Sequence, residues 1–68
     1  MKHEQHEHLA EWGFIKSSQI PSIYEFARDN FKAVWDTEKQ VGYYKIDNEY
    51  YNIKDFSFLE DIMEYELS

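Results

Sequence analysis

The N-terminal stretch MKHEQHEH gathers the residue types that ligate metals: His3, Glu4, His6, Glu7 and His8. On a helix, His3 with Glu7 and Glu4 with His8 fall at i, i+4. That spacing can bring an imidazole and a carboxylate onto one zinc ion. All the His residues lie in this stretch and the chain has no Cys, so only a distant carboxylate could complete a coordination shell. The alternative is a solvated, fraying end, and no metal or other cofactor is expected. Imidazole titrates near neutrality, which leaves a pH-sensitive contact open as well.

A second cluster is acidic. From Asp55 onward the chain carries Asp55, Glu60, Asp61, Glu64 and Glu66 and no basic residue. Glu64 and Glu66 fall near the negative end of a C-terminal helix, where carboxylates are mildly unfavourable. Glu60 and Glu64 are i, i+4 neighbours, and with Asp61 they make a negative stripe that could stand in for phosphates on a basic groove. An ordinary solvated helix face is the competing reading. Tyr43, Lys45, Tyr50 and Asn52 form a third candidate, a Tyr-rich contact patch of the kind enriched at interfaces, provided that no helix covers it.

A catalytic set does not assemble. There is no Cys nucleophile, Arg28 is the only Arg, and Gly13 and Gly42 stand too far apart for a phosphate loop. The Ser residues read as caps and loops, and no pocket is indicated that would shift one carboxyl pKa against another. The expectation is a protein that is not an enzyme.

These residues need elements to position them, and the central one is a hairpin. Val41–Lys54 reads as two Tyr- and Ile-rich strands joined at Asp47-Asn48, residues that tolerate positive φ in a two-residue turn. Ile46 then pairs with Glu49, Tyr44 with Tyr51 and Gly42 with Ile53. One face carries Tyr44, Ile46, Tyr51 and Ile53, with Glu49 at the turn. The other carries Val41, Tyr43, Lys45, Tyr50, Asn52 and Lys54.

Residues 2–12 read as a helix ended by Gly13, with Phe14 folding back toward Leu9. Residues 1–8 are expected to fray. Phe14–Ser18 is a candidate third strand. Pro21–Asp36 reads as an amphipathic helix entered through Ser18, with Ile23, Tyr24, Ala27, Phe31, Val34 and Trp35 on its apolar stripe. Phe26 falls off that stripe. Ser57 with Glu60 forms a capping box before a last helix, Phe58–Glu66. The expected fold is a single α+β domain over residues 1–68, α-α-β-β-α, with helices on a two-stranded, at most three-stranded, antiparallel sheet.

Composition narrows the functional classes. A chain of 68 residues without Cys cannot staple a small core with disulfides. Its two Trp, six Tyr and five Phe supply large buried areas instead. With 7 basic against 14 acidic residues the net charge is −7, which opposes direct binding to nucleic acid or an anionic membrane. It favours a basic protein partner. No apolar run is long enough to span a bilayer and the first residues are too polar for a secretory leader, so the expected location is the cytoplasm.

In size, net charge and aromatic content the chain resembles the small, acidic, Cys-free proteins that phages and mobile elements use to block host enzymes, some of which mimic nucleic acid. That resemblance implies an inhibitor of a nucleic-acid-handling enzyme, and the acidic face makes the leading expectation a binding protein, inhibitor or adaptor, that presents Glu60, Asp61 and Glu64, with Asp47 and Glu49 at the hairpin tip, to a basic cleft of its partner. The alternative is an assembly module that homodimerises, or docks on a larger subunit, through Phe26, Tyr43 and Tyr50.

Overall fold

The computed structural model describes residues 2–68, with side chains from residue 5 onward. Helices α1 (Lys2–Trp12) and α2 (Phe56–Leu67) bracket five strands: β1 (Ile15–Lys16), β2 (Ile23–Arg28), β3 (Phe31–Asp36), β4 (Val41–Ile46) and β5 (Glu49–Ile53). The strands form one antiparallel sheet in the order β1-β2-β3-β4-β5. The α+β class holds. The α-α-β-β-α order on a two- or three-stranded sheet does not; the chain runs α-β-β-β-β-β-α.

The correction lies at Pro21–Asp36, which is a second hairpin and not a helix. Arg28 pairs with Phe31 across Asp29-Asn30, and Tyr24 with Trp35. Asp29 sits at φ 52 and Asp47 at φ 56, so the same Asp-Asn dipeptide makes both two-residue turns. Burial alternates at the strand period: Tyr24 and Phe26 on β2, then Phe31, Ala33 and Trp35 on β3, are buried. Phe26, off the helical stripe, is a core residue. Ala27 and Val34, on that stripe, face the other side of the sheet. Pro21 precedes a strand, and Ser17 organises the approach by accepting the N–H groups of Gln19 and Ile20, each at 3.2 Å.

The β4–β5 hairpin has the expected register, with Gly42 on Ile53, Tyr44 on Tyr51 and Ile46 on Glu49. Within Phe14–Ser18, Ile15–Lys16 does join the sheet, but it pairs with β2 at the opposite edge from β5. Helix α1 ends as expected. Gly13 takes φ +102, its N–H donates to Ala10 O at 3.1 Å, and Phe14 N–H donates to Leu9 O at 2.9 Å. These are the paired 5→2 and 6→1 bonds of a Schellman end. Helix α2 starts earlier than expected: Asp55 is the cap and accepts Phe58 N–H at 2.8 Å, so Ser57 and Glu60 lie inside the helix and form no capping box.

Both helices pack on one face of the sheet. Leu9, Leu59 and Met63 join Tyr24, Phe26, Phe31, Ala33, Trp35 and Ile53 in one core. Aromatic contacts run through it, from Trp12 to Phe56 at 5.7 Å between centroids and on to Trp35 at 5.8 Å. A second line goes from Phe14 to Phe26 at 5.4 Å and Phe31 at 6.0 Å. Gly42 lets this core close. A Cβ there would stand 2.1 Å from Val34 O and 2.9 Å from Trp35 Cε3, so Trp35 occupies the space that a side chain on β4 would take.

Candidate functional site

Three places carry the side chains singled out in the sequence, and the fold treats them differently. The first is the tip end of the core face. The helices cover the Trp35–Ile53 end, whereas Ile46 on the same face stays 40% exposed. A groove of about 330 Å³ opens there. Its floor is Phe31, Tyr44 and Ile46 from β3 and β4, and its wall is Ile62 and Tyr65 from α2. Asp61 and Glu66 complete the lining and supply its acid.

At about 100° per residue, Asp61, Ile62 and Tyr65 fall on one flank of α2 and Glu60 on the other. The expected acidic stripe of Glu60, Asp61 and Glu64 therefore spans an arc of about 100° on α2, and Asp61 is its member that lines the groove. Asp61 borders the groove, Glu60 is half-buried on the far flank and Glu64 is exposed beside it. Asp47 and Glu49 sit at the tip of the β4–β5 hairpin, next to Ile46 in the chain and in the ladder. Glu49 Oε1 accepts the Tyr51 hydroxyl at 2.6 Å. That bond, with the carboxylate's charge, holds the Tyr51 phenol above its ordinary 10.0.

The second place is the open face of the sheet, which carries Val34, Val41, Tyr43, Lys45 and Tyr50. Tyr50 is 65% exposed. Tyr43 and Tyr50 rings lie 5.7 Å apart, and Lys45 Nζ sits 5.6 Å over the Tyr50 ring, within cation–π range. The structure thus brings Tyr43, Tyr50 and Lys45 together. It removes Phe26 from any aromatic contact surface, because that ring is in the core.

The third place is the N-terminal His/Glu cluster. The side chains of His3 and Glu4 lie outside the described residues. His6 Nδ1 is hydrogen-bonded to the Tyr24 hydroxyl, whereas His8 faces Trp12 and Phe56 at 5.9 and 6.2 Å. Among the described residues no group of three or more His, Asp or Glu is placed to hold a metal ion. Gln5 ties α1 to the β3–β4 loop through reciprocal amide bonds with Gln40, both 2.8 Å.

The groove was not visible in the sequence, since its floor needs β3 and its wall needs the angle at which α2 crosses the sheet. A larger cleft of about 420 Å³ under β1 mixes Lys16, Ser17, Glu25 and Lys32 with apolar groups and lacks such a floor. Among the described residues no helix is long and apolar enough to cross a membrane. Compared with protein-family models, curated proteins and solved structures, the chain matches none of them.

Proposed function

We propose that the protein is a non-enzymatic protein-binding module whose groove between α2 and the β3–β4 strands takes a basic, partly apolar segment of a partner. The observation that carries this reading is a core face left open at Ile46, beside half-buried Tyr44 and bordered by Asp61 and Glu66. Apolar floor with charged rim is the anatomy of a protein contact. The net charge of −7 steers a basic partner toward it. Asp47 and Glu49 extend the negative rim onto the hairpin tip.

The partner class that fits is a nucleic-acid-handling protein, whose basic nucleic-acid-binding segment the groove takes up in competition with nucleic acid. The place of action is then the cytoplasm, and the protein acts as an inhibitor. The test is calorimetric titration with a Leu/Lys amphipathic helical peptide at low and high salt. Wild type is expected to bind, more weakly as salt rises, and Asp61→Lys to lose most of that binding. Equal binding by the variant, or none by wild type, overturns the reading.

A further inference from the structure

We propose that the free edge of β5 is a second binding site, which takes an extended, basic segment of another protein as a sixth strand of the sheet. It does not depend on what the groove receives. β5 ends the sheet on one side and pairs only with β4. Ile46 and Glu49 close the two-residue turn as a hydrogen-bonded pair, and such pairs alternate along an antiparallel ladder. Glu49, Tyr51 and Ile53 therefore spend their backbone groups on β4. The N–H and C=O groups of Tyr50 and Asn52 point outward, and no other backbone group among the described residues meets them. The devices that blunt a sheet edge are missing here. β1, at the opposite edge, has only two residues. β5 has five and its ladder runs without a bulge, and the single Pro of the chain is Pro21.

The side chains along this edge define the strand that fits. On the helix side the row reads Glu49, Tyr51, Ile53 and Asp55, since the backbone is still extended at Asp55 (φ −153, ψ 169). Acid stands at both ends, with apolar surface between. Tyr51 is 41% exposed, as is Phe58 in the first turn of α2. Both rings lie against Tyr44, at 5.0 and 6.4 Å. A pocket of about 350 Å³ lined by Asn52, Lys54, Asp55 and Phe58 opens beside them. Tyr50, Asn52 and Lys54 face the other side, where Lys45 already lies over Tyr50.

An antiparallel strand therefore matches this edge with cations opposite Glu49 and Asp55, apolar side chains opposite Tyr51 and Ile53, and uncharged ones on the other face. Opposite-charge and apolar cross-strand pairs both stabilise a ladder. Main-chain bonds give strand addition its affinity and the alternate side chains its specificity. A second copy fits less well. Edge-to-edge pairing centred on Asn52 sets Glu49 against Asp55, and pairing centred on Tyr51 sets it against Ile53, so neither brings it a cation. The net charge of −7 opposes a second copy and steers a basic segment in.

The test titrates the whole chain with acetyl-Lys-Thr-Val-Thr-Val-Thr-Lys-amide, followed by calorimetry and by amide hydrogen exchange. Aligned antiparallel, the first Lys of the peptide meets Asp55 and the last meets Glu49. Binding is expected, with the Tyr50 and Asn52 amides newly protected from exchange. N-methylation of the two Thr opposite Asn52 and Tyr50 removes the donors that face β5, and is expected to weaken binding about tenfold or more. N-methylation of both Val, whose N–H groups face solvent, is expected to leave it nearly unchanged. Glu49→Lys, with far-UV circular dichroism unchanged, is expected to weaken binding about tenfold. No binding at millimolar peptide overturns the proposal, as does a folded Glu49→Lys variant that binds as wild type does. Equal effects of the two methylation patterns also overturn it, because the peptide then rests on side chains alone. Protection of Tyr50 and Asn52 that rises with protein concentration in the absence of peptide overturns it in favour of a second copy.

Discussion

The Asn30 side-chain amide donates to Asp47 Oδ1 at 2.7 Å, and the Asp47 backbone N–H donates to Asn30 O at 3.1 Å. Each residue belongs to an Asp-Asn turn, one closing β2–β3 and one closing β4–β5. The two turns therefore hold each other, and with them the end of the sheet that carries the groove floor. Asn30→Ala is expected to cost about 0.5–1.5 kcal/mol, the usual range for one net hydrogen bond, read from urea unfolding. A double-mutant cycle with Asp47→Ala should give a coupling of similar size. Strict additivity of the two substitutions contradicts the link.

Gly42 and Gly13 are constrained for different reasons, and their substitutions should separate. At Gly42 the added Cβ meets backbone, 2.1 Å from Val34 O, so strand pairing itself has to shift. Gly42→Ala is expected to cost about 3 kcal/mol or more, at the upper end of overpacking effects. At Gly13 the added Cβ meets only the Phe26 ring at 3.4 Å, but φ is +102. Gly13→Ala should cost about 1–2 kcal/mol, the left-handed penalty for a side chain. Thermal unfolding of the two variants checks the order, and equal losses contradict it.

How much of this was legible depends on the turn. Asp47-Asn48 between Tyr-rich strands fixed a register that the structure reproduces pair for pair. The same dipeptide at Asp29-Asn30 lay inside a stretch with convincing helical spacing. That spacing arose because β2 and β3 are apolar on both faces at their outer ends: Ile23 beside Tyr24, and Val34 beside Trp35. A helical window collects both members of each pair, although they point to opposite sides of the sheet. The strand-period residues Phe26, Ala33 and Trp35 were the better guide. The patch of Tyr43, Lys45 and Tyr50 followed from register alone, because it lies within one hairpin. The groove did not, because it forms between elements distant in sequence.

Asp36 organises the β3–β4 loop, and its titration should be visible in stability. Its Oδ1 accepts the N–H groups of Lys39 at 3.0 Å and Glu38 at 2.9 Å. The Lys39 bond first, against some desolvation, and then the Glu38 bond hold its carboxyl below the ordinary 3.8. A depressed carboxyl adds stability that is present above the unfolded value and lost as pH falls through the folded one. Asp36→Asn is therefore expected to be less stable than wild type at pH 6, with the gap closing as pH falls below about 4. Paired urea melts across that range measure it. A gap that stays constant to pH 2 removes the carboxylate's role.

The groove separates binding from folding. Tyr65 is 83% exposed and Ile46 40% exposed, so neither contributes much to the core. Tyr65→Lys should change stability by no more than about 0.5 kcal/mol, as for most surface substitutions. Ile46→Lys should cost about 1 kcal/mol, because part of its side chain packs on the floor. Each puts a cation into a site proposed to receive one, and each should weaken binding of the Leu/Lys peptide about tenfold or more. Asp61→Lys at the rim should act mainly on the association rate and flatten its salt dependence, as rim charges do, whereas Ile46→Lys should act mainly on dissociation. Stopped-flow kinetics with the same peptide distinguish these outcomes. If Ile46→Lys and Tyr65→Lys bind as wild type does, the groove is not the contact, however strongly the charge variants respond.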